Sequence, residues 1–436
     1  MTQPGAHPFR VRSEAAKLLT NPRRTTARRW MRTLVPPLCI YLSLSLLTGI
    51  ILRLTSRSQT ALAENVVNPS SPDAWYHLEI PTEAAPGYFG VLANWDGQWY
   101  ATIALHGYPG SLPMENGSVI QNPWAFWPTY PALVRVVMEA SGLSFGQAAW
   151  LVSVSSAALA SIVFYRLFQN ALGSFGAYAV LIVLFANPVA AILQAAYAES
   201  LTLLLLALML SNLNGRKYYR CFPLAAVLAF TRPVMLPFAM VVLSHYMYRI
   251  AAERRHNEPF STRERRTVVV LAAWCGLLAF GWYAVSAGVT GRIDSALATL
   301  AAWRNYGGSA GVLGGWGDTV IGGGVLGIAV TGIVAGQLWL LMRRSARLWP
   351  FEARIWAGSY LLYILAITRP SASILRYAML TITTLWPFPE VTPSLQQRRA
   401  PWIILGCVVF AGIISQVFWI SNVWIIHSLT NQAGPP

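Results

Sequence analysis

The sequence predicts an all-α polytopic membrane protein, and three observations carry that prediction. Of 436 residues, 55% are hydrophobic and only 11% are charged, against about 25% charged in a soluble domain. Apolar runs long enough for a helix recur along the chain. The basic residues, finally, collect beside those runs: eight before residue 33, three in 216–220, six in 249–266, three in 343–347 and two at 398–399. A net charge of +16 would otherwise suggest nucleic-acid binding. Short juxtamembrane clusters instead follow the positive-inside bias, and they exclude a nucleic-acid partner.

Taken in order, residues 1–32 read as a basic cytoplasmic arm. Leu34–Leu52 reads as an uncleaved signal anchor, because the basic region before it is too long for a cleavable signal and no small-residue cleavage site follows. Residues 54–145 then form a long extracytoplasmic loop. Further apolar runs lie near 147–167, 174–192, 197–213, 221–248, 267–289, 319–342, 353–368, 377–390 and 401–426. At ~1.5 Å per residue each approaches the ~30 Å needed to span, the 377–390 run only marginally. Residues 33–430 are expected to form a single membrane domain, with 431–436 as a tail on the outer side.

Charge fixes the expected topology. With the N-terminus in the cytoplasm, "NGRKYYR" (214–220) falls inside. A single crossing by 221–248 would then place the six basic residues of 249–266 outside. The segment carries "TRP" near its middle, where the proline removes a donor and disfavours helix at the preceding residue. A chain that enters, turns at Thr231-Arg232-Pro233 and returns keeps 249–266 inside. Nine crossings plus this one broken re-entrant hairpin result. Such a break is tolerated only where protein or a water-filled cavity satisfies the backbone. Cys39, Cys221, Cys275 and Cys407 form no CxxC pair and read as packed thiols.

Candidate chemistry concentrates on the outer side. The loop is too long for a mere connection and holds "NWDGQWYATIALHGY" (94–108) and "NPWAFWPTYPALV" (122–134). Its aromatics, among them Trp95, Trp99, Tyr100, Trp127 and Tyr130, suggest interfacial segments, either a plain aromatic belt or a pocket wall. Asp96 amid them is a candidate general base, or a turn residue. His106 could be a ligand, a proton partner or simply a packed polar residue. Glu199 stands at the start of a helix, where a cap is the plainer role, although Gln194 and Tyr197 nearby point to a cavity. Arg232 at the membrane break costs about 2.5–3.5 kcal/mol on insertion scales and is a functional candidate by default. Arg369 and Arg376 flank an outer connection, "RPSASILR". With Arg232 they would suit a lipid phosphate, which arginine grips bidentately, or they could snorkel to headgroups.

The sequence has no Walker A, no G-x-S-x-G, no H-E-x-x-H and no metal-binding D-x-D. "NWDGQWYATIALHGY" resembles the W-D-x-x-x-Y-x-x-I-A-x-x-G-Y block of the PIG-V-type mannosyltransferases. "AFWPTYPAL" looks like their F-F-P-x-x-P block, "YAESLTLLL" like their Y-x-E-S-L segment, "AFTRPVML" like their T-R-x-x-G-L element and "ILRYAML" like their late R-Y element. All five occur in order between Asn94 and Leu380. After the TR-P step this chain carries Val234-Met235 where the family tends to have Asn-Gly.

The resemblance implies a GT-C-like bundle and inverting transfer of mannose from a polyprenyl-phosphate sugar to a lipid-linked or envelope glycan acceptor. It implies Asp96 as the base and no metal or other cofactor. Arg232, Arg369, Arg376 and Tyr377 fall where the donor phosphate would be held. A transporter or flippase for a lipid-linked sugar is the competing class and should show inverted repeats with paired broken helices. Transfer of another sugar, or to a protein acceptor, is the other alternative.

Overall fold

A computed structural model describes residues 22–61, 65–67, 75–77, 81–304, 324–368, 373–386, 388–390 and 399–427. The described chain is overwhelmingly helical; its only strands are two short hairpins, Asn65–Val67 with Trp75–His77 and Met114–Glu115 with Ser118–Val119. Among the described residues, five helical stretches are long and apolar enough to cross a membrane: Thr33–Ser58, Phe145–Phe185, Met235–His256, Thr262–Thr290 and Arg399–Trp424. The protein is therefore an all-α membrane protein, as the composition requires.

The helices that matter for the site are few. α1 (Pro22–Thr55) contains the anchor. The long loop supplies α2 (Gly87–Val91), α3 (Asp96–His106) and α4 (Thr129–Ser141). Then follow α5 (Phe145–Phe185), α6 (Glu199–Asn214), α7 (Tyr218–Ala229) and α8 (Met235–His256). The remainder are α9 (Thr262–Leu278), α10 (Gly281–Thr290), α11 (Ser295–Arg304), α12 (Gly324–Met342), α13 (Phe351–Ile367), α14 (Ser373–Met379) and α15 (Arg399–Trp419).

The break in the 221–248 run is present and the chain does return. α7 ends at Ala229, α8 begins at Met235, and Thr231-Arg232-Pro233 form the apex. The two ends of the hairpin meet: Arg216 and Arg249 both pair with Glu258, and Tyr218 lies 3.1 Å from His245. The apex keeps its backbone satisfied. The Phe230 carbonyl accepts from Thr129 N–H at 2.9 Å, and the Thr231 hydroxyl donates to Val227 O at 2.7 Å. Both bonds serve groups that a continuous helix would have paired internally.

A second broken hairpin, which the sequence reading had taken for two separate crossings, stands beside the first. Within α5, Gly173 has φ 72° and ψ −179°, a conformation open to glycine and strained for other residues. Tyr165 and Tyr178 stack across it with centroids 5.3 Å apart. Thirteen residues of straight helix would put them about 20 Å apart, so the chain reverses there. It then climbs to Phe185, passes through the buried non-helical stretch 186–198, and descends as α6. Asn214, at the foot of α6, bonds Glu352 at 3.0 Å, and Glu352 also pairs with His245, midway along α8 and beside Tyr218 at the foot of α7. Both hairpins thus rise from one end of the bundle, the end that carries the basic stretches 216–220, 249–266 and 343–347.

Two further expectations change. The 377–390 run is no crossing: α14 is seven residues long and runs into buried turns through Trp386, with Ile382 at φ 60°. The loop aromatics do not form a belt either. Trp95, Trp99, Tyr100, Trp124, Phe126 and Tyr130 are buried in the protein, because α3 inserts between α4 and the hairpin apices instead of lying on the surface. Cys39 and Cys407 are exposed, Cys221 and Cys275 buried, and all four are unpaired. In hydrocarbon, helices gain little from hydrophobic burial and rely on close packing and polar ties. Such ties recur here, as in Thr48 to Gln416 at 3.2 Å, Gln416 to Asn187 O at 3.1 Å and Trp356 to Leu380 O at 2.8 Å.

The hairpin topology is tested by single cysteines in a cysteine-free background. Residues 220 and 255, both exposed, should react with an impermeant thiol reagent from one side of the membrane and residue 116 from the other. Labelling of 220 and 255 from opposite sides would mean that 218–256 crosses.

Candidate active site

The site is built where the two unwound apices meet the start of α3. Glu199 is the first residue of α6, directly after the first apex in chain order (186–198), and Arg232 lies in the second (231–233). Arg232 Nη1 stands 2.5 Å from Glu199 Oε1. Arg376, on α14, completes the group, with Nη1 2.6 Å from Asp96 Oδ2 and Nε 3.4 Å from Glu199 Oε1. Two carboxylates and two guanidiniums therefore form a single chain, Asp96–Arg376–Glu199–Arg232. The two Glu199 contacts are close charge pairs without hydrogen-bond alignment, and Glu199 Oε2 accepts no hydrogen bond among the described residues. Charges this deep need partners, since leaving one buried and unpaired costs several kcal/mol.

Aromatic rings wall the guanidiniums. Arg376 lies 5.1 Å from the Tyr197 ring centroid and 5.0 Å from that of Tyr377, and its Nη2 donates to the Tyr377 hydroxyl at 3.2 Å. Arg232 lies 5.3 Å from the same Tyr377 ring. Such stacking suits arginine, whose planar, weakly hydrated head tolerates an aromatic face. Burial raises the Tyr100 phenol above its ordinary range, opposed by the nearby Arg232 guanidinium, so Tyr100 stays a neutral wall residue.

Asp96 is presented by a strained elbow. Trp95 has φ 56° and ψ −121°, a conformation that costs a non-glycine residue about 1–3 kcal/mol. Its indole donates to Trp424 O at 2.9 Å, and Asn94 donates to the same carbonyl at 3.1 Å and to Gln59 at 2.8 Å. That carbonyl belongs to the five-residue π turn Ile420–Trp424 after α15. On the other side, the Tyr197 hydroxyl accepts the Asp96 backbone N–H at 3.0 Å. Gly97 lets the elbow pack closely on the preceding turn, because a Cβ there would stand 3.2 Å from Leu92 O. Asp96 is thus the first residue of α3 with its side chain 23% exposed, whereas Glu199 has none.

Of the residues the sequence singled out, Asp96, Glu199, Arg232, Arg376 and Tyr377 come together; Arg369 lies outside the described residues. Trp95, Trp99, Tyr100 and Tyr130 pack behind the elbow, with Tyr130 bonded to Ser153 at 2.9 Å. Gln194 sits in a separate tie, accepting from Tyr88 at 2.5 Å and donating to Ser45 O at 2.7 Å. His106 does not belong to the site, being exposed at the far end of α3. Trp127 instead lines a cavity of about 130 Å³ beside the second apex, with Arg232, Leu236, Leu278, Phe280, Tyr283 and Tyr363. It is an apolar, aromatic recess with a guanidinium at one wall. No group of three or more metal-ligating side chains occurs among the described residues. Sequence reading missed the clamp on the elbow. Tyr197 was legible beside Glu199, but nothing in the sequence pointed to Trp424.

No protein-family model matches the chain, and no curated protein does. Two solved structures resemble it in outline. ArnT from Cupriavidus metallidurans, crystallised in the apo state, is 14% identical, with a TM-score of 0.46 over 87% of this chain and 62% of its own. The oligosaccharyltransferase of Archaeoglobus fulgidus, crystallised with zinc and sulfate, is 13% identical, with a TM-score of 0.42 over 91% of this chain and 53% of its own. The chain spans less than two thirds of the length of either. A likeness this distant does not say what the four-charge site does.

The site makes a prediction about stability. Arg232→Met removes one of the two cations around a fully buried carboxylate and should destabilise the protein by about 3 kcal/mol. Adding Glu199→Gln to that variant should restore part of the loss, read as unfolding temperature in detergent. Additive losses in the double variant would show that the pair is not coupled.

Proposed function

We propose that the protein is a membrane glycosyltransferase that moves a sugar, mannose by the motif resemblance, from a polyprenyl-phosphate donor to a lipid-linked or envelope glycan acceptor. The observation that carries this reading is one partly exposed carboxylate, Asp96, paired with Arg376 and linked through Glu199 to Arg232, which lines an apolar recess. Each part has a chemical use. A lipid phosphate leaving from a sugar develops negative charge, which Arg232 and Arg376 are placed to stabilise. Tyr377 supports both guanidiniums, and Arg369 would add to them. The recess beside Arg232 suits the first apolar units of the lipid.

Asp96 is the group exposed enough to meet an acceptor hydroxyl, so it is assigned the proton. Glu199, with no exposed surface, acts as counter-ion to both arginines. In the transfer the acceptor oxygen attacks the anomeric carbon, its proton passes to Asp96, and the carbon–phosphate-oxygen bond breaks with the electron pair leaving on the phosphate. Configuration inverts. Charge stabilisation by arginine serves where other transferases use a metal. Four of the five sequence blocks that resemble the PIG-V-type enzymes supply this cluster, contributing Asp96, Glu199, Arg232, and Arg376 with Tyr377. The reading places this chemistry on the extracytoplasmic face, opposite the basic end.

Transport is the competing reading, and the paired broken hairpins bear on it directly. Transporter repeats often place broken helices in inverted orientation around the substrate. Here both hairpins rise from the same end, so the two apices are not related by inversion.

The test is transfer in membranes supplied with labelled polyprenyl-phosphate mannose. Wild type should label an endogenous lipid or glycan, and Asp96→Asn should reduce this by roughly 10²-fold or more. Near-normal turnover by Asp96→Asn would return Asp96 to a turn residue and make Glu199 the next candidate base.

A further inference from the structure

We propose that Asp96 is an exchangeable counter-ion: the anionic head of the lipid donor takes its place on Arg376, and only then is the carboxylate free to act as a base. This rests on the transfer reading above. It follows from an asymmetry between the two carboxylates. Glu199 is fully buried and touches both guanidiniums, at 2.5 and 3.4 Å. Asp96 is 23% exposed and touches a single guanidinium through one oxygen, at 2.6 Å.

Arg376 does not need Asp96 to stay in position. Its head is held between the Tyr197 and Tyr377 rings, bonded to the Tyr377 hydroxyl and paired with Glu199. An incoming phosphate can therefore displace Asp96 without disturbing the cation it binds. The Asp96 backbone is likewise fixed, by the Tyr197 hydroxyl below and the Trp95 clamp beside it. The exchange is then a side-chain rotation toward the exposed side and needs no movement of α3.

Charge makes the exchange compulsory. The resting cluster holds two positive and two negative groups and is neutral. A lipid phosphodiester added to the intact cluster would leave an excess negative charge at low dielectric, which is strongly disfavoured. Release of Asp96 to the solvent side removes that excess. While Arg376 stands 2.6 Å from Asp96 Oδ2, that oxygen is occupied by the ion pair; once released, it is open to the proton of an acceptor hydroxyl. The acceptor is thus deprotonated only when the donor is already bound, and binding is ordered with donor first.

The test uses the full-length protein in detergent, with farnesyl phosphate as probe and farnesol as its neutral control. Asp96→Asn, which removes the competing charge, should bind farnesyl phosphate about tenfold more tightly than wild type, the scale expected for a lost charge-assisted hydrogen bond. Asp96→Ala should do the same, independently of how asparagine packs. Farnesol affinity should be equal in all three proteins. Equal or weaker phosphate binding by folded Asp96→Asn and Asp96→Ala overturns the exchange while leaving the transfer reading intact. Saturable binding in none of the proteins overturns the lipid-phosphate reading and the exchange with it.

Discussion

The arrangement depends on placing two guanidiniums inside a bundle without leaving either unpaired. Arg232 and Arg376 come from segments 144 positions apart, and neither helix pair alone offers a counter-charge. Glu199 supplies it to both. Because a carboxylate with no exposed surface is itself costly, the three groups are mutually required. That requirement explains why both helical hairpins open at the same level: an intact helix on either side would keep these side chains at helical spacing and bar their approach. The break at Pro233 and the buried stretch 186–198 are the local structures that let opposite charges meet.

Opening the hairpins creates a second demand, for partners to the freed backbone groups. The long loop meets it. Thr129 N–H bonds the Phe230 carbonyl, and Ala196 N–H bonds Leu92 O at 2.9 Å. The same segments that seal the apices therefore carry Asp96 to the charges and wall them with aromatic rings. This accounts for the burial of tryptophans and tyrosines that would otherwise suit a lipid interface. Sealing and presentation are one packing solution.

How much of this was legible follows from which signals are local. The membrane class, the break at Thr231-Arg232-Pro233 and its return were legible because proline chemistry and charge placement act over a few residues. Asp96, Glu199, Arg232 and Arg376 stood out because ionised groups in apolar segments are rare. The turn at Gly173 was not legible, since a single glycine in an apolar helix more often serves close packing than reversal. Nor was the fate of the 377–390 run, which is apolar because it is buried in protein and not because it spans. His106 misled for a simple reason: it follows Asp96 closely in sequence, but ten residues of helix carry it about 15 Å away. The clamp by Trp424 is a backbone carbonyl accepting from distant side chains, and carbonyls carry no sequence signature.

That clamp bears on when the site can exist. The Trp95 elbow is strained, and the groups that hold it, the Trp424 carbonyl and through Asn94 the Gln59 side chain, are separated by almost the whole chain. During synthesis the loop emerges long before α15, so the carboxylate cannot be locked in place while the chain is still growing. The backbone at Trp95 is free to relax until α15 inserts and its π turn closes over the loop. Fixing of the elbow that presents Asp96 is thus deferred until α15 has entered the membrane. A chain whose synthesis stops early carries every charged residue of the cluster without the fixed elbow that presents Asp96.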